Sequence, residues 1–249
     1  MSDPIHELAD RLREARHAVA LTGAGVSTDS GIPDFRSARS GLWQKHDPMK
    51  VASIEGFRRE PRAFYDFWGE RFAGLDAAKP NVSHEVLARA EARSWLRAVV
   101  TQNIDGLHQK AGSREVLEVH GTYSRTRCLG CGATGTLVEV ARRVKQGRLP
   151  ICEDCGELVK PDVVLFGEEL PSAFEQARKL VRASDLLVVL GSSLEVHPVA
   201  SLVPEAKAHR AAIIIADRGE TEMDDLADVI VRGELSRTMP RLAERLGID

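Results

Sequence analysis

The four cysteines stand in two pairs, Cys128-x2-Cys131 and Cys152-x2-Cys155, with 20 residues between the pairs. Two knuckles at this separation make a tetrahedral thiolate cage for zinc. Glycine follows each knuckle, Gly132 and Gly156, and permits the tight turn of a chelate ring. Four thiolates fill the coordination sphere, so the ion cannot activate water and its role is structural. The bland reading is four unligated thiols. A zinc knuckle can also bind nucleic acid, and Arg142, Arg143, Lys145 and Arg148 lie between the pairs. No aromatic residue interleaves them to form a stacking platform, which argues against that reading.

A second group of residues is Gly23-Ala24-Gly25-Val26-Ser27-Thr28, directly after the apolar run Ala18–Leu21. Glycines after a strand let the backbone approach a pyrophosphate, whose charge is favoured by the N–H groups of a following helix start. The dinucleotide fingerprint needs a third glycine where Thr28 stands. By itself the loop is equally a tight strand–helix turn.

The elements that must position these groups follow from periodicity. Residues 3–16 read as a helix capped by Asp3, with Pro4 in its first turn and Ile5, Leu8, Leu12 and Ala15 on one face. Short, wholly apolar runs then recur: Ala18–Leu21, Ala98–Val100, Leu186–Leu190 and Ile213–Ile215. Each ends in small or polar residues. Uniformly apolar runs indicate strands buried on both faces, as in a parallel sheet. Helical segments lie between them, clearest at 172–183 with Phe174, Ala177, Leu180 and Val181 on one side. The alternation predicts an α/β fold, a Rossmann-like doubly wound parallel sheet whose ligands bind beyond the carboxyl ends of the strands. Residues 36–76, rich in phenylalanine and tryptophan, and residues 121–160, which hold all four cysteines, break the pattern and read as inserts.

Composition bounds the rest. The chain has 249 residues, 34 Lys and Arg against 37 Asp and Glu, and a net charge of -3. Binding nucleic acid or membrane by charge alone is not expected. No apolar stretch is long enough to span a bilayer, and MSDPIHELAD is not a secretory signal. Cytoplasmic thiols or metal ligands are therefore expected rather than disulfides. Without a basic localisation cluster, the cytoplasm is the expected compartment.

The longer blocks then carry a resemblance. GAGVSTDSGIPDFR, TQNIDGLH, His120-Gly121, Phe166-Gly167-Glu168, Gly191-Ser192-Ser193 and the zinc knuckles occur in one order. Together they resemble the sirtuins, NAD-dependent protein lysine deacylases, over Ala18 to about Arg232. The resemblance implies a catalytic core without appended regulatory domains. Residues 1–35, 77–120 and 161–249 would form the large Rossmann-like domain, with the helical insert 36–76 and zinc-ribbon insert 121–160 forming the small one. It implies that His120 is the catalytic base, with Asn103 and Asp105 in the catalytic set. The cofactor residues would be Gly23, Ala24, Gly25, Thr28, Asp34, Phe35, Arg36, Gln102, Asn103, Ile104, Asp105, Gly191, Ser192, Ser193 and Asp217. Val163, Phe166, Gly167, Glu168, Glu195 and Val196 would flank an acyl-lysine peptide that adds as a strand between the domains. NAD would be the co-substrate, Cys128, Cys131, Cys152 and Cys155 would hold one structural Zn2+, and the protein would act on acyl-lysine proteins or peptides as a monomer.

The chemistry suits those residues. Breaking the nicotinamide–ribose bond puts positive charge on the sugar, and polar groups such as Asn103 and Asp105 can hold a reactive pose. The acyl oxygen attacks the anomeric carbon, and a base then removes a ribose hydroxyl proton. Histidine suits that step because its pKa lies near the working pH. Nicotinamide, deacylated lysine and 2′-O-acyl-ADP-ribose would result. Alternatives are protein mono-ADP-ribosylation, desuccinylation or demalonylation, and a non-enzymatic NAD-sensing or zinc-ribbon module. Two departures matter. Asp217 stands where the family usually has asparagine, losing a donor. Family members acting on acidic acyl groups carry Tyr-x-x-Arg on the helix after a Gly-Leu-Trp segment; here Gly41-Leu42-Trp43 is present, but Tyr65 is followed by Trp68, and Arg71 follows Trp68. Neither register gives the pair, so neutral acyl groups such as acetyl are expected. Glu195 either favours basic residues near the target lysine or is a solvent-facing residue.

Overall fold

The computed structural model describes residues 3–34 and 46–248. Asp3 caps α1 (Pro4–Glu14), its Oδ1 accepting the Ile5 N–H at 3.1 Å, and the helix buries Ile5, Leu8, Ala9 and Leu12. The apolar runs become strands β1 (Ala18–Thr22), β2 (Ala98–Thr101), β7 (Leu186–Leu190) and β8 (Ala212–Asp217). Two short strands without an apolar run long enough to signal them, β3 (Val116–Glu118) and β9 (Val229–Arg232), close the edges. All neighbours pair in parallel, in the order β3-β2-β1-β7-β8-β9. Counted along the chain within this sheet, that is the doubly wound order, which reverses between β1 and β7 and opens its ligand crevice there.

Alternate side chains of the central strands enter two aliphatic cores. Ala18, Ala20, Leu186, Val188, Leu190, Ile214 and Ala216 face α1, α5 (Val82–Ala92) and α10 (Leu235–Leu246). Val19, Leu21, Leu187, Val189, Ile213 and Ile215 face α8 (Ser172–Ala183) and α9 (Leu202–Ala208). Burial on both faces is why these runs are apolar without alternation.

The inserts build different structure. In the described part of 36–76, α2 (Pro48–Val51), α3 (Ile54–Arg59) and α4 (Pro61–Ala77) are helical, and α4 crosses the expected boundary by one residue. Next to the cysteines, β4 (Gly121–Cys128), β5 (Thr134–Thr136) and β6 (Val159–Val163) form an antiparallel sheet in the order β5-β4-β6, with α7 (Leu137–Lys145) beside it. Strand β6 continues to Val163, beyond the boundary expected at residue 160. Its Lys160-Pro161-Asp162 centre carries no apolar run, so the sequence pattern does not mark it as a strand. An aromatic core of Phe57, Phe64, Tyr65, Trp68, Phe72 and Tyr123 joins the helices to this sheet. Phe57 and Phe64 meet edge to face, their centroids 4.9 Å apart, as ring quadrupoles favour. Among the described residues, no helix is long and apolar enough to cross a membrane.

Candidate active site and zinc centre

The carboxyl ends of β1 and β7 meet at the switch point, with those of β2 and β3 beside them. Gly23 N–H donates to the Leu190 carbonyl at 3.1 Å, and Gly25 N–H to the Gly191 carbonyl at 2.9 Å. A Cβ on Gly23 would lie 2.7 Å from the Gly191 oxygen, and one on Gly191 (φ +60°) would lie 2.6 Å from the Val26 nitrogen. These glycines are therefore required for the two loops to touch each other. That contact is a second reason for glycine here, beside the close approach to a pyrophosphate that the sequence pattern suggests. After them the chain turns through a short 3-10 helix, Ala24–Ser30, where Thr28 Oγ1 donates to the Gly25 carbonyl at 2.9 Å.

The β2 loop supplies Gln102, Asn103, Ile104 and Asp105. Asn103 Nδ2 donates to the Gly23 carbonyl and to Ser27 Oγ, both at 3.0 Å. Ser27 in turn donates to Asp105 Oδ2 at 2.7 Å, and Asp105 Oδ1 accepts the Leu107 N–H at 2.9 Å. Asn103 and Asp105 are both buried. Below them lie His84 and His108, also buried, with ring centroids 4.8 Å apart. Burial holds both imidazoles well below their ordinary pKa, so both are neutral; the neighbouring His84 lowers His108 further, and Asp105 pulls His84 partly back. The Asn81 N–H donates to His84 Nδ1 at 3.3 Å, capping α5. Nδ1 thus accepts, and the neutral ring carries its proton on Nε2, 3.5 Å from Ser27 Oγ. Ser27 receives Asn103 on the same oxygen and gives its own proton to Asp105. His108 Nε2 lies 3.0 Å from Thr22 Oγ1, which donates to Thr101 Oγ1 at 2.8 Å; Thr101 Oγ1 accepts the Asn103 N–H at 3.0 Å. Ser27, His84, His108, Thr22 and Thr101 are missing from the sequence-derived site. Ser27, Thr101 and His108 lay inside the motif blocks, and Asn81-x2-His84 has the spacing of a helix cap. Nothing in periodicity shows that the two imidazoles meet.

His120 stands between the two sheets, after β3 and before β4. Its Nδ1 lies 3.1 Å from the Gln102 carbonyl, which can only accept, so Nδ1 carries the proton and Nε2 is the basic nitrogen. Its own carbonyl accepts the Val164 N–H at 2.8 Å. Gly121 has φ +75°, and a Cβ there would lie 2.1 Å from the Asp162 oxygen. Glycine after His120 is thus a packing requirement of the joint. Gln102 Nε2 donates to Ser192 Oγ at 2.9 Å and ties the β2 loop to the β7 loop.

These groups open on one cavity of about 670 Å³, within the range of small-molecule sites. Ala24, Gln102, Asn103, Ile104, Asp105 and His120 line one part of it. Phe64, Trp68, Phe72 and Leu75 of α4 line an apolar part, and Val163, Phe166, Gly167, Glu168 and Val196 another. Gly23, Gly25, Thr28, Asp34, Gly191, Ser192, Ser193 and Asp217 are not in its lining. Gly191, Ser192 and Ser193 follow β7 and stand beside the Gly23 loop, whereas Asp217 ends β8. Asp217 Oδ1 accepts the Gly219 N–H at 2.8 Å; burial raises its pKa against that bond and the charges of Arg232 and Arg218. Glu195 is exposed and outside the cavity wall. Phe35, Arg36 and Gly41-Leu42-Trp43 lie outside the described residues. Tyr65 donates its hydroxyl to the Val159 carbonyl at 2.6 Å, and Trp68 its indole N–H to the Val51 carbonyl at 2.6 Å. Arg71 reaches the cavity wall but stacks over Phe67 and donates to the Phe67 carbonyl.

The four cysteine sulfurs lie within 4.8 Å of one another, with Cys128 and Cys155 3.3 Å apart and Cys131 and Cys152 3.7 Å apart. A tetrahedron of Zn–S bonds near 2.3 Å has edges of about 3.8 Å, so the set fits one structural zinc ion. The knuckles are built alike. Cys128 N–H donates to Ala133 and Cys152 N–H to Glu157, each at 2.8 Å, while Gly132 N–H returns to Cys128 and Gly156 N–H to Cys152. Gly132 and Gly156 sit at φ +74° and +78°, as the turns require.

Residues 23–198 match the family model described as the Sir2 family. The NAD-dependent protein deacylase 2 of Archaeoglobus fulgidus is 44% identical over 248 residues, 99% of this chain and 97% of the relative. The NAD-dependent protein deacetylase of Saccharolobus solfataricus is 42% identical over 241 residues, 96% of each chain. A solved Sir2 structure with a p53 peptide and NAD+ superimposes with a TM-score of 0.89 at 38% identity, covering 98% of both chains. With the parallel sheet, the thiolate cage and the Asn103–Asp105–His120 pocket already in place, matches of this extent leave one conclusion: the chain belongs to the Sir2 family.

Proposed function

We propose that the protein removes acetyl and similar neutral acyl groups from protein lysines at the expense of NAD, releasing nicotinamide, the free lysine and 2′-O-acyl-ADP-ribose. One observation carries the reading: Asn103, Asp105 and His120 line a single cavity, and the hydrogen bond to the Gln102 carbonyl leaves Nε2 as the basic nitrogen of His120. Relatives and neighbours named for NAD, deacetylation and peptide binding support it.

In this reading Asn103 and Asp105 hold the nicotinamide ribose. The Ser27 hydroxyl fixes their spacing, because it accepts from one and donates to the other. A fixed spacing keeps the ribose near its reactive pose and removes part of the entropic barrier. The acyl oxygen bonds to the anomeric carbon as the bond to nicotinamide breaks. His120 Nε2 takes the proton of a ribose hydroxyl, whose oxygen then attacks the acyl carbon; the lysine amine leaves with that proton, a water molecule adds to the acyl carbon, and the bond from that carbon to the oxygen on the anomeric carbon breaks, leaving the 2′-O-acyl ester and an anomeric hydroxyl. Gly23, Gly25, Gly191, Ser192, Ser193 and Asp217 serve the rest of the dinucleotide beyond the strand ends. Val163, Phe166, Gly167 and Val196 hold the peptide as an added strand. The zinc ion, when bound, fixes the small sheet and takes no part in the chemistry, since four thiolates leave it no open position.

The acyl group faces aromatic side chains of α4. Tyr65 gives its hydroxyl to Val159 and Arg71 stacks over Phe67, so among the described residues these two do not form the Tyr-x-x-Arg pair expected for an acidic acyl group. We divide the chain accordingly into 1–35, 77–120 and 161–249 as the nucleotide-binding part and 36–76 and 121–160 as the smaller part, with the peptide between them. The same proposal has a cytoplasmic monomer; that it does not bind nucleic acid is supported by the net charge of -3.

Mass spectrometry of the protein with an acetyl-lysine peptide, with and without NAD, tests the reading. NAD-dependent deacetylation with equal yields of nicotinamide and O-acetyl-ADP-ribose is expected. Transfer of ADP-ribose to protein without loss of acetyl would overturn it. Faster removal of succinyl than of acetyl from one peptide would overturn the acyl preference.

A further inference from the structure

Lys160 is a lysine whose side chain is only 5% exposed. A buried ammonium is costly unless its donors are met. Here Nζ donates to the Pro161 carbonyl at 3.1 Å and the Val163 carbonyl at 2.6 Å, and pairs with Glu168 Oε2 at 3.0 Å. The same Glu168 oxygen accepts the Leu165 N–H at 2.8 Å, and the Glu168 N–H donates to the Leu165 carbonyl at 3.0 Å. One ion pair thus closes the chain from 160 to 168 on itself. This segment carries Val163, Phe166 and Gly167 into the cavity wall. Its far side is stitched to the start of α3, because Phe166 N–H donates to Ala52 and Ile54 N–H donates to Phe166.

An apolar residue would fill the buried volume at Lys160 with a smaller desolvation cost. What the ion pair adds is direction. The ammonium fixes two carbonyls at the end of β6, and the carboxylate fixes the amide two residues on. The sequence places Glu168 among the residues flanking the peptide; the structure turns its Oε2 inward, onto the loop itself.

We propose that Lys160 and Glu168 form a positioning pair that sets the shape of the peptide-binding edge 163–167 before substrate arrives, and so governs peptide affinity separately from NAD affinity. The inference deepens the functional reading above and rests on it. An edge already held in its bound shape avoids the cost of ordering when a strand is added. Asn103, Asp105 and Ser192 hang from the ends of β2 and β7 rather than from this segment, which meets the joint through the Val164 N–H bond to the His120 carbonyl, so NAD affinity should change less than peptide affinity.

Steady-state kinetics with an acetyl-lysine peptide and with NAD test the pair in Lys160→Met, Lys160→Arg and Glu168→Gln. The peptide KM should rise about tenfold in Lys160→Met and about threefold in Glu168→Gln, the NAD KM should stay within about twofold, and Lys160→Arg should recover most of the loss. Glu168→Gln keeps an acceptor for the Leu165 N–H while removing the charge, so it decides the matter if Lys160→Met does not fold. An unchanged peptide KM in the folded variants, or peptide and NAD KM rising in step, would overturn the proposal. Should the wild-type protein fail to deacetylate the peptide, the functional reading falls, and the pair is judged by anisotropy of a fluorescent acetyl-lysine peptide. Weaker binding by Glu168→Gln than by wild type then upholds it; equal binding, or none by either, overturns it.

Discussion

Every side chain of β7, Leu186–Leu190, is buried, whereas along β4 buried and exposed residues are mixed and Arg125 and Arg127 point outward to Asp162. The six-stranded sheet is covered on both faces by aliphatic side chains from helices. The three-stranded sheet has an aromatic core on one side and a thiolate cage at one end. The first is stabilised by apolar area removed from water, which grows with the number of covered strands. The second is too small to rely on that term alone, and in such modules metal-binding energy is folding energy. His120 lies on the chain between the two sheets, so the reaction depends on both kinds of stability holding one joint in place.

The largest effect should come from the metal. Chelating zinc removes on the order of 10 kcal/mol of local folding energy, and Cys131→Ser, which takes one of the four thiolates, removes part of it. Hydrogen exchange should show β4, β5 and β6 losing protection while β1, β7 and β8 keep theirs. Equal loss across both sheets would erase the contrast. At the joint, His120→Ala should lower deacetylation by roughly 10²- to 10⁴-fold. NAD binding and thermal stability should stay near wild type, and activity within a few-fold of wild type would remove the assignment of the base. Ile214→Ala in the middle of the large sheet should cost about 2–5 kcal/mol by urea unfolding, because a fully buried side chain leaves a cavity. Exposed Arg127→Ala in the small sheet should cost less than about 1 kcal/mol.

A finer difference lies in pH. Beside the large sheet, two buried neutral histidines lie under the site, His84 on α5 and His108 in the helical turn after the β2 loop. Their folded pKa values lie below the 6.5 of the unfolded chain, His84 at about 4. Between those values the unfolded chain binds more protons, so stability falls as the pH falls from 6.5 towards 4. The slope should reach about 1.4 kcal/mol per pH unit for each histidine. Urea unfolding of wild type and His84→Gln across that window should show a shallower slope in the variant. Identical slopes would mean that His84 is not held neutral.

Much of this was legible in the residues. The runs Ala18–Leu21 and Leu186–Leu190 marked central strands because side chains buried on both faces must all be apolar. Asp3-Pro4 marked a helix start. The cysteine spacing marked the cage, since chelate geometry constrains neighbours within one turn. Strands β3, β6 and β9 were not legible: β3 and β9 are short, β6 has Lys160-Pro161-Asp162 at its centre in place of an apolar run, and all three lie at sheet edges and take their pairing from distant partners.

The sequence by itself determined which residue types are present for the chemistry: imidazole, amide, carboxylate and four thiols at fixed local spacings. It also marked the four central strands of the large sheet, because an apolar run buried on both faces is a local signature. Tertiary structure alone decided that Ser27 joins Asn103 to Asp105, that two neutral imidazoles lie beneath them, that Gly23 and Gly25 stand against Gly191, and that Glu168 turns inward to Lys160. Most of these are contacts between residues distant in the chain. Even the Lys160–Glu168 pair depends on which way the loop folds back. Hydrogen-bond direction and burial exist only once the chain has closed.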